Sequence, residues 1–160
     1  MLLTWARAIR ALGLGIWLGG IIMAFVVAST VFKVLEKDRT MAGAIVGACL
    51  EAGQKVKLGV AIIALAAEAV IFFGGIQGAP IGWRRFVPAA MLLLALATTL
   101  VATLWLEPKI HELRKEIADF SEATRDDPKR VEFRKLHGMS MGLLFLEAIF
   151  VAAALLTGLL

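Results

Sequence analysis

Two glutamates, Glu68 and Glu147, stand inside long apolar runs of the chain, where an ionisable side chain is costly and needs a partner, a cavity or a task. Glu147 belongs to a stripe of Phe133, His137, Ser140, Leu144, Glu147, Val151, Ala154 and Gly158, spaced by threes and fours. Such residues share one helical face, and the small and polar members predict that this face points into a bundle. A second stripe, Leu92, Leu96, Thr99, Thr103 and Leu106, brings two hydroxyls to a similar depth as partners for the carboxyl group. Two chemistries fit Glu147: a hydrogen-bonded packing group, or a proton- or cation-handling one.

Two further groupings follow if the helices form antiparallel hairpins of equal rise. With turns centred near residues 38, 81 and 124–125, residues of successive helices share a level when their numbers sum to roughly 76, 162 or 249. Arg7 and Arg10 then fall within a turn of Glu68, and an ion pair there would explain why the charges are tolerated. Near the opposite membrane boundary Glu51, Glu107, His111 and His137 share a level, with Lys55 close by. Glu107 and His111 are four apart on one face, a spacing that can present two ligands to one ion. Polar residues also gather at any membrane boundary, so a ligand set and a solvated rim both fit. Pro108 removes a backbone bond to Leu104 and predicts a kink beside this cluster.

The elements that position these residues are four apolar stretches, roughly residues 11–35, 56–76, 86–106 and 139–160, each near the ~20 residues that cross a bilayer as helix. Hydrophobic residues make up 60% of the 160 and the mean hydropathy is +0.84, so the chain reads as an integral membrane protein of one domain. The net charge of +4 then speaks of topology and anionic lipid before nucleic acid, and no nucleic-acid partner is expected. The single cysteine, Cys49, excludes an intrachain disulfide and reads as a buried, inert thiol. Arg7 and Arg10 precede an apolar run too long for a signal peptide, which predicts a retained first transmembrane helix.

Turn signals fall at Lys37-Asp38-Arg39-Thr40, at Gly74-Gly75 with Gly78-Ala79-Pro80 and Gly82, and at Arg125-Asp126-Asp127-Pro128. Asp127 is placed to cap the last helix, with Pro128 as its first residue. The fold class is therefore all-α: a four-helix antiparallel membrane bundle with helices over about 3–36, 41–76, 86–121 and 128–160. Helices of roughly 33–36 residues span about 50 Å, so they extend beyond the bilayer on one side. There Ile110, Leu113, Ile117 and Phe120 form one apolar seam on a charged helix, and Phe133 and Leu136 supply the facing seam. Lysine and arginine crowd the first and third connections, against Arg7, Arg10, Arg84 and Arg85 at the other end. That bias places both termini outside the cytoplasm.

Gly15 and Gly19 flank Trp17 in a GxxxG segment with Gly13 and Gly20 beside it, and Gly43 and Gly47 repeat the spacing on helix two. These glycines predict close helix packing or dimerisation. Trp5, Trp83 and Trp105 suit the membrane interface. Five segments carry a wider likeness: Ile16-Trp17-Leu18-Gly19-Gly20, Val31-Phe32-Lys33-Val34-Leu35, Ala42-Gly43-Ala44-Ile45-Val46-Gly47, Leu106-Glu107-Pro108-Lys109-Ile110 and Leu136-His137-Gly138-Met139-Ser140. In order and placement the chain resembles the transmembrane protein 205-like family. The resemblance implies a four-helix membrane protein without a settled biochemical activity, with Trp17, Gly19, Gly20, Pro108, His137, Gly138 and Ser140 as the shared positions. The chain departs from that pattern at Leu50–Lys55, where the family is aromatic-rich, and at Phe145-Leu146-Glu147, where it carries an asparagine.

Two function classes follow. One is a non-enzymatic, transport-like protein handling a small solute or cation, working as a homo-oligomer or a subunit of a membrane complex, with Glu147 and Glu68 as its ionisable elements. The other is a redox or accessory subunit in which His111 and His137 hold a haem or metal ion. No nucleophile–base constellation, phosphate loop or zinc pattern supports an enzyme.

Overall fold

The computed structural model describes residues 1–74, 85–117 and 127–158. The predicted second turn from Gly75 to Arg84, with Trp83, lies outside them, as do Asp119, Phe120, Arg125 and Asp126. Helix α1 runs over Leu2–Val34, α2 over Arg39–Gly74, α3 over Phe86–Val101, α4 over Glu107–Glu116 and α5 over Pro128–Thr157. A π-helical turn, Ala102–Leu106, joins α3 to α4, so Phe86–Glu116 is one membrane-length rod. Four rods are thus long and apolar enough to cross a membrane. Their large side chains face outward at mid-helix: Leu12 and Ile62 are each 66% exposed and Phe145 63%. A water-soluble fold does not leave such belts bare, and this is a multi-pass membrane protein, an all-α four-helix bundle.

Local chemistry explains the element ends. Asp127 caps α5 by accepting from the backbone N–H of Lys129 at 2.8 Å and Arg130 at 3.4 Å, and Pro128 is the first helical residue. Asp38 accepts from the N–H of Met41 at 2.8 Å at the start of α2. The π-turn ends two residues before Pro108, which has no N–H for the carbonyl of Leu104 and whose ring would crowd it. One extra residue in the turn relieves the clash, with the N–H of Glu107 bonded to the carbonyl of Ala102.

In space the rods follow the order α2, α1, α5, α3, each packed on the next. The fourth side of the bundle, between α2 and α3, makes few backbone contacts. The core holds Leu14, Trp17 and Ile21 of α1, Ala61 and Ala64 of α2, Leu92 and Ala95 of α3, and Val151 and Ala154 of α5. Alanines on α2 bring that helix close to α1, where Gly13 lies against Val60 and Ala64. The expected packing glycines behave otherwise. Among the described residues a Cβ at Gly15, Gly19, Gly20 or Gly138 would meet nothing within 4 Å, so no described helix presses on them. The buried face of α1 is set by its larger residues, and it leaves this glycine face outside. Gly43 and Gly47 receive the guanidinium of Arg114, which lies where their Cβ atoms would be.

Candidate functional site

On α2 the residues Lys57, Ala61, Ala64 and Glu68 recur by fours and threes and turn to one face. On α1 Arg10, Leu14, Trp17 and Ile21 do the same, and on α5 Glu147, Val151 and Ala154. These faces meet in two polar layers separated by an apolar one.

The deeper layer is built around Glu147, which is 1% exposed. Its Oε1 accepts from the indole N–H of Trp17 at 2.6 Å. Lys57 sets its ammonium nitrogen 3.1 Å from Oε1 and 3.3 Å from Oε2, so three helices converge on one carboxylate. A buried carboxylate with its charge matched and both oxygens engaged is one of the few ways to keep it ionised in a membrane. The lysine reaches the site from the edge of the apolar run of α2, and its side chain keeps 13% exposure.

The α2–α3 side carries polar bridges. Gln54 donates its amide N–H groups to the hydroxyl of Thr103 and, at 3.0 Å, to the carboxylate of Glu107. Glu107 in turn lies within electrostatic reach of Lys57, Glu147 and Glu51. Glu147, Lys57, Gln54 and Glu107 therefore form a ladder from the core toward the basic end of the bundle.

The second layer joins Arg10 to Glu68, nitrogen to oxygen 2.8 Å, with both side chains at most 7% exposed. Arg10 also donates to the carbonyl of Gly158 at 2.5 Å, so a cation closes the carbonyl end of α5. Along α5 the two layers are 11 residues apart, about 16 Å. Leu14, Ala61, Ala64, Val151 and Ala154 fill the interval, all fully buried or nearly so.

The predicted residues distribute unevenly over this architecture. Arg10, not Arg7, meets Glu68, and Arg7 is exposed one turn before it on α1. Thr99 and Thr103 do not reach Glu147: Thr99 is buried and returns its hydroxyl to the carbonyl of Ala95 at 2.9 Å, as a helical threonine without another acceptor does. Ser140 is half-buried two turns away on α5. The boundary set of Glu51, Glu107, His111 and His137 is not assembled. Glu51 is exposed and pairs with Lys55 at 3.4 Å, His111 is exposed, and His137 stacks on Phe133 with ring centroids 5.9 Å apart. Among the described residues no three of His, Cys, Asp and Glu converge as metal ligands. Cys49, expected to be buried, is exposed. Lys57 and Gln54 were not anticipated, although Lys57 stands three turns from Glu68 on the same face, and that repeat was the available signal.

Residues 12–119 match the family model described as Domain of unknown function (DUF4149), which covers more than half of the chain, so the protein belongs to that family. The matched segment includes Trp17, Lys57, Gln54 and Glu107 and stops before Glu147. No curated protein and no solved structure matches the chain.

Proposed function

We propose that this member of the Domain of unknown function (DUF4149) family handles protons coupled to a small cation or solute, with Glu147 as the proton-accepting group and Lys57 as the mobile counter-charge. The observation that carries the reading is an ammonium held by both oxygens of a buried carboxylate on the loosest side of the bundle. Protonating Glu147 removes the charge that holds Lys57. Glu107 is the next acceptor along the ladder, and its present partner Gln54 is exchangeable. A cation arriving from the basic side meets the same two carboxylates and displaces the lysine ammonium. The apolar layer between Glu147 and Glu68 is then the barrier, and Arg10–Glu68 the fixed clamp beyond it.

The same reading carries the likeness to transmembrane protein 205-like proteins, a bacterial inner membrane, termini outside the cytoplasm, and a homo-oligomer. The charge bias between connections supports the orientation. The unpacked Gly15, Gly19 and Gly20 face supports self-association. The test is flux in vesicles reconstituted with the full chain. An imposed pH gradient should dissipate faster than in protein-free vesicles, and Glu147→Gln should return the rate to that baseline while the protein keeps its helical content. Full flux in Glu147→Gln would remove the carboxylate from the proposal.

A further inference from the structure

Away from the ladder, the lipid-facing side of the bundle carries a continuous groove between α5 and the rod formed by α3, the π-turn and α4. The π-turn places Trp105 at the groove, 48% exposed. Two segments, of about 640 and 490 Å³, share Trp105 and Met139. The inner segment is walled by Val101, Leu106, Leu143 and Leu146 around Gly142. A Cβ on Gly142 would meet nothing within 4 Å among the described residues, so this glycine leaves room that none of them fills.

The outer segment ends in charges of fixed order. Lys135 lines it, and the Lys109 ammonium sits 4.5 Å from the centroid of Trp105, where the ring face holds it at the groove. Glu132 lines the same end almost one turn farther toward the start of α5. From Lys135 to Leu146 the groove follows α5 for about 16 Å, close to the half-thickness of a ~30 Å hydrocarbon core. A lysine on each wall, Lys135 in the lining and Lys109 over the Trp105 ring, with a carboxylate beyond Lys135 and an apolar channel inside, match one molecule end to end: a phosphate, an ammonium beyond it, and an acyl chain.

We propose that the groove is a specific site for a phospholipid with a primary-amine headgroup. Its phosphate lies between Lys109 and Lys135, its ammonium reaches Glu132, and one acyl chain runs past Trp105 and Met139 over Gly142. A headgroup that is only anionic finds the two lysines but sets its outer end against Glu132. A quaternary ammonium fits the charge order without an N–H to donate. This site is independent of Glu147 and stands whether or not the chain moves protons.

Native mass spectrometry of the full chain in mild detergent, with equimolar phosphatidylethanolamine, phosphatidylcholine and phosphatidylglycerol, tests it. Phosphatidylethanolamine should be retained preferentially. Glu132→Gln should abolish the preference while lipid still binds, and each of Lys109→Gln and Lys135→Gln should weaken retention by about fivefold. Gly142→Leu should fill the channel and eject the lipid. If Gly142→Leu does not fold, the two lysine variants, far out on exposed surface, carry the same test. Equal retention of the three lipids, or unchanged retention in Gly142→Leu or in the lysine variants, would overturn the site.

Discussion

Both oxygens of Glu147 are engaged, one of them by Trp17 as well as Lys57, and the two donors contribute differently. Trp17→Phe removes the N–H and also part of the ring from a fully buried position, so unfolding in mixed micelles should show a loss of about 1–3 kcal/mol, the hydrogen bond plus a small cavity. Lys57→Met leaves a buried carboxylate without its counter-charge, and about 3–5 kcal/mol is expected unless the carboxyl is protonated. A Lys57→Met loss no larger than that of Trp17→Phe at neutral pH would mean that the pair is not ionised. At the other layer, a double-mutant cycle on Arg10→Gln and Glu68→Gln should give a coupling of about 1–3 kcal/mol. Strictly additive effects would dismiss the pair as a contact without energetic consequence. The carboxylates were legible in the sequence because apolar surroundings make them conspicuous. Lys57 was not, because a lysine at the edge of an apolar run looks like an interface residue, and only its register with Ala61, Ala64 and Glu68 marks it as inward. Thr99 needs no carboxylate at its level, because a helical threonine can satisfy itself on its own backbone, and Thr103 instead accepts from Gln54.

At the scale of elements, the apolar runs and turn residues indicated four membrane-length helices because each helix must satisfy its own backbone in lipid. The cap at Asp127 followed from side-chain chemistry in the same way. What periodicity does not encode is which of two small-residue faces is used. Gly13 is buried against α2, whereas Gly15, Gly19 and Gly20 face away from the other helices. Replacing the latter three by alanine should therefore leave the single chain as stable or raise its stability, by up to about 1 kcal/mol per site. Cross-linking in membranes should then show fewer oligomers, if that face joins copies. A fall in single-chain stability would mean that the glycines pack within the chain after all. Pro108 announced a disturbance in the third rod, but the proline alone does not say whether the helix kinks or widens. The structure widens it, because the extra residue removes the clash with Leu104 without opening a lipid-exposed gap in the hydrogen-bond ladder.

For the whole molecule, the antiparallel arrangement puts Arg10 of α1 against Gly158 of α5, so the amino-terminal end of α1 and the carboxyl-terminal end of α5 lie on one side of the membrane. The basic connections predict that this side is outside the cytoplasm. A cysteine at exposed Lys37, in a Cys49→Ala background because Cys49 is itself exposed, should resist an impermeant thiol reagent in intact cells. Labelling at Lys37→Cys would invert the orientation and with it the direction of the ladder. Two charge-paired layers are held about 16 Å apart by an apolar core. The proposed proton handling requires the Glu147 carboxyl to change protonation state in the folded protein. Infrared difference spectroscopy of the reconstituted chain, stepped between about pH 4 and 9, reads this directly through the carboxylic-acid stretch. A pH-dependent acid band that is lost in Glu147→Gln, shifted in Lys57→Gln and untouched in Glu68→Gln is the expected result. An identical set of bands in wild type and Glu147→Gln would contradict it and leave Glu147 as a structural clamp.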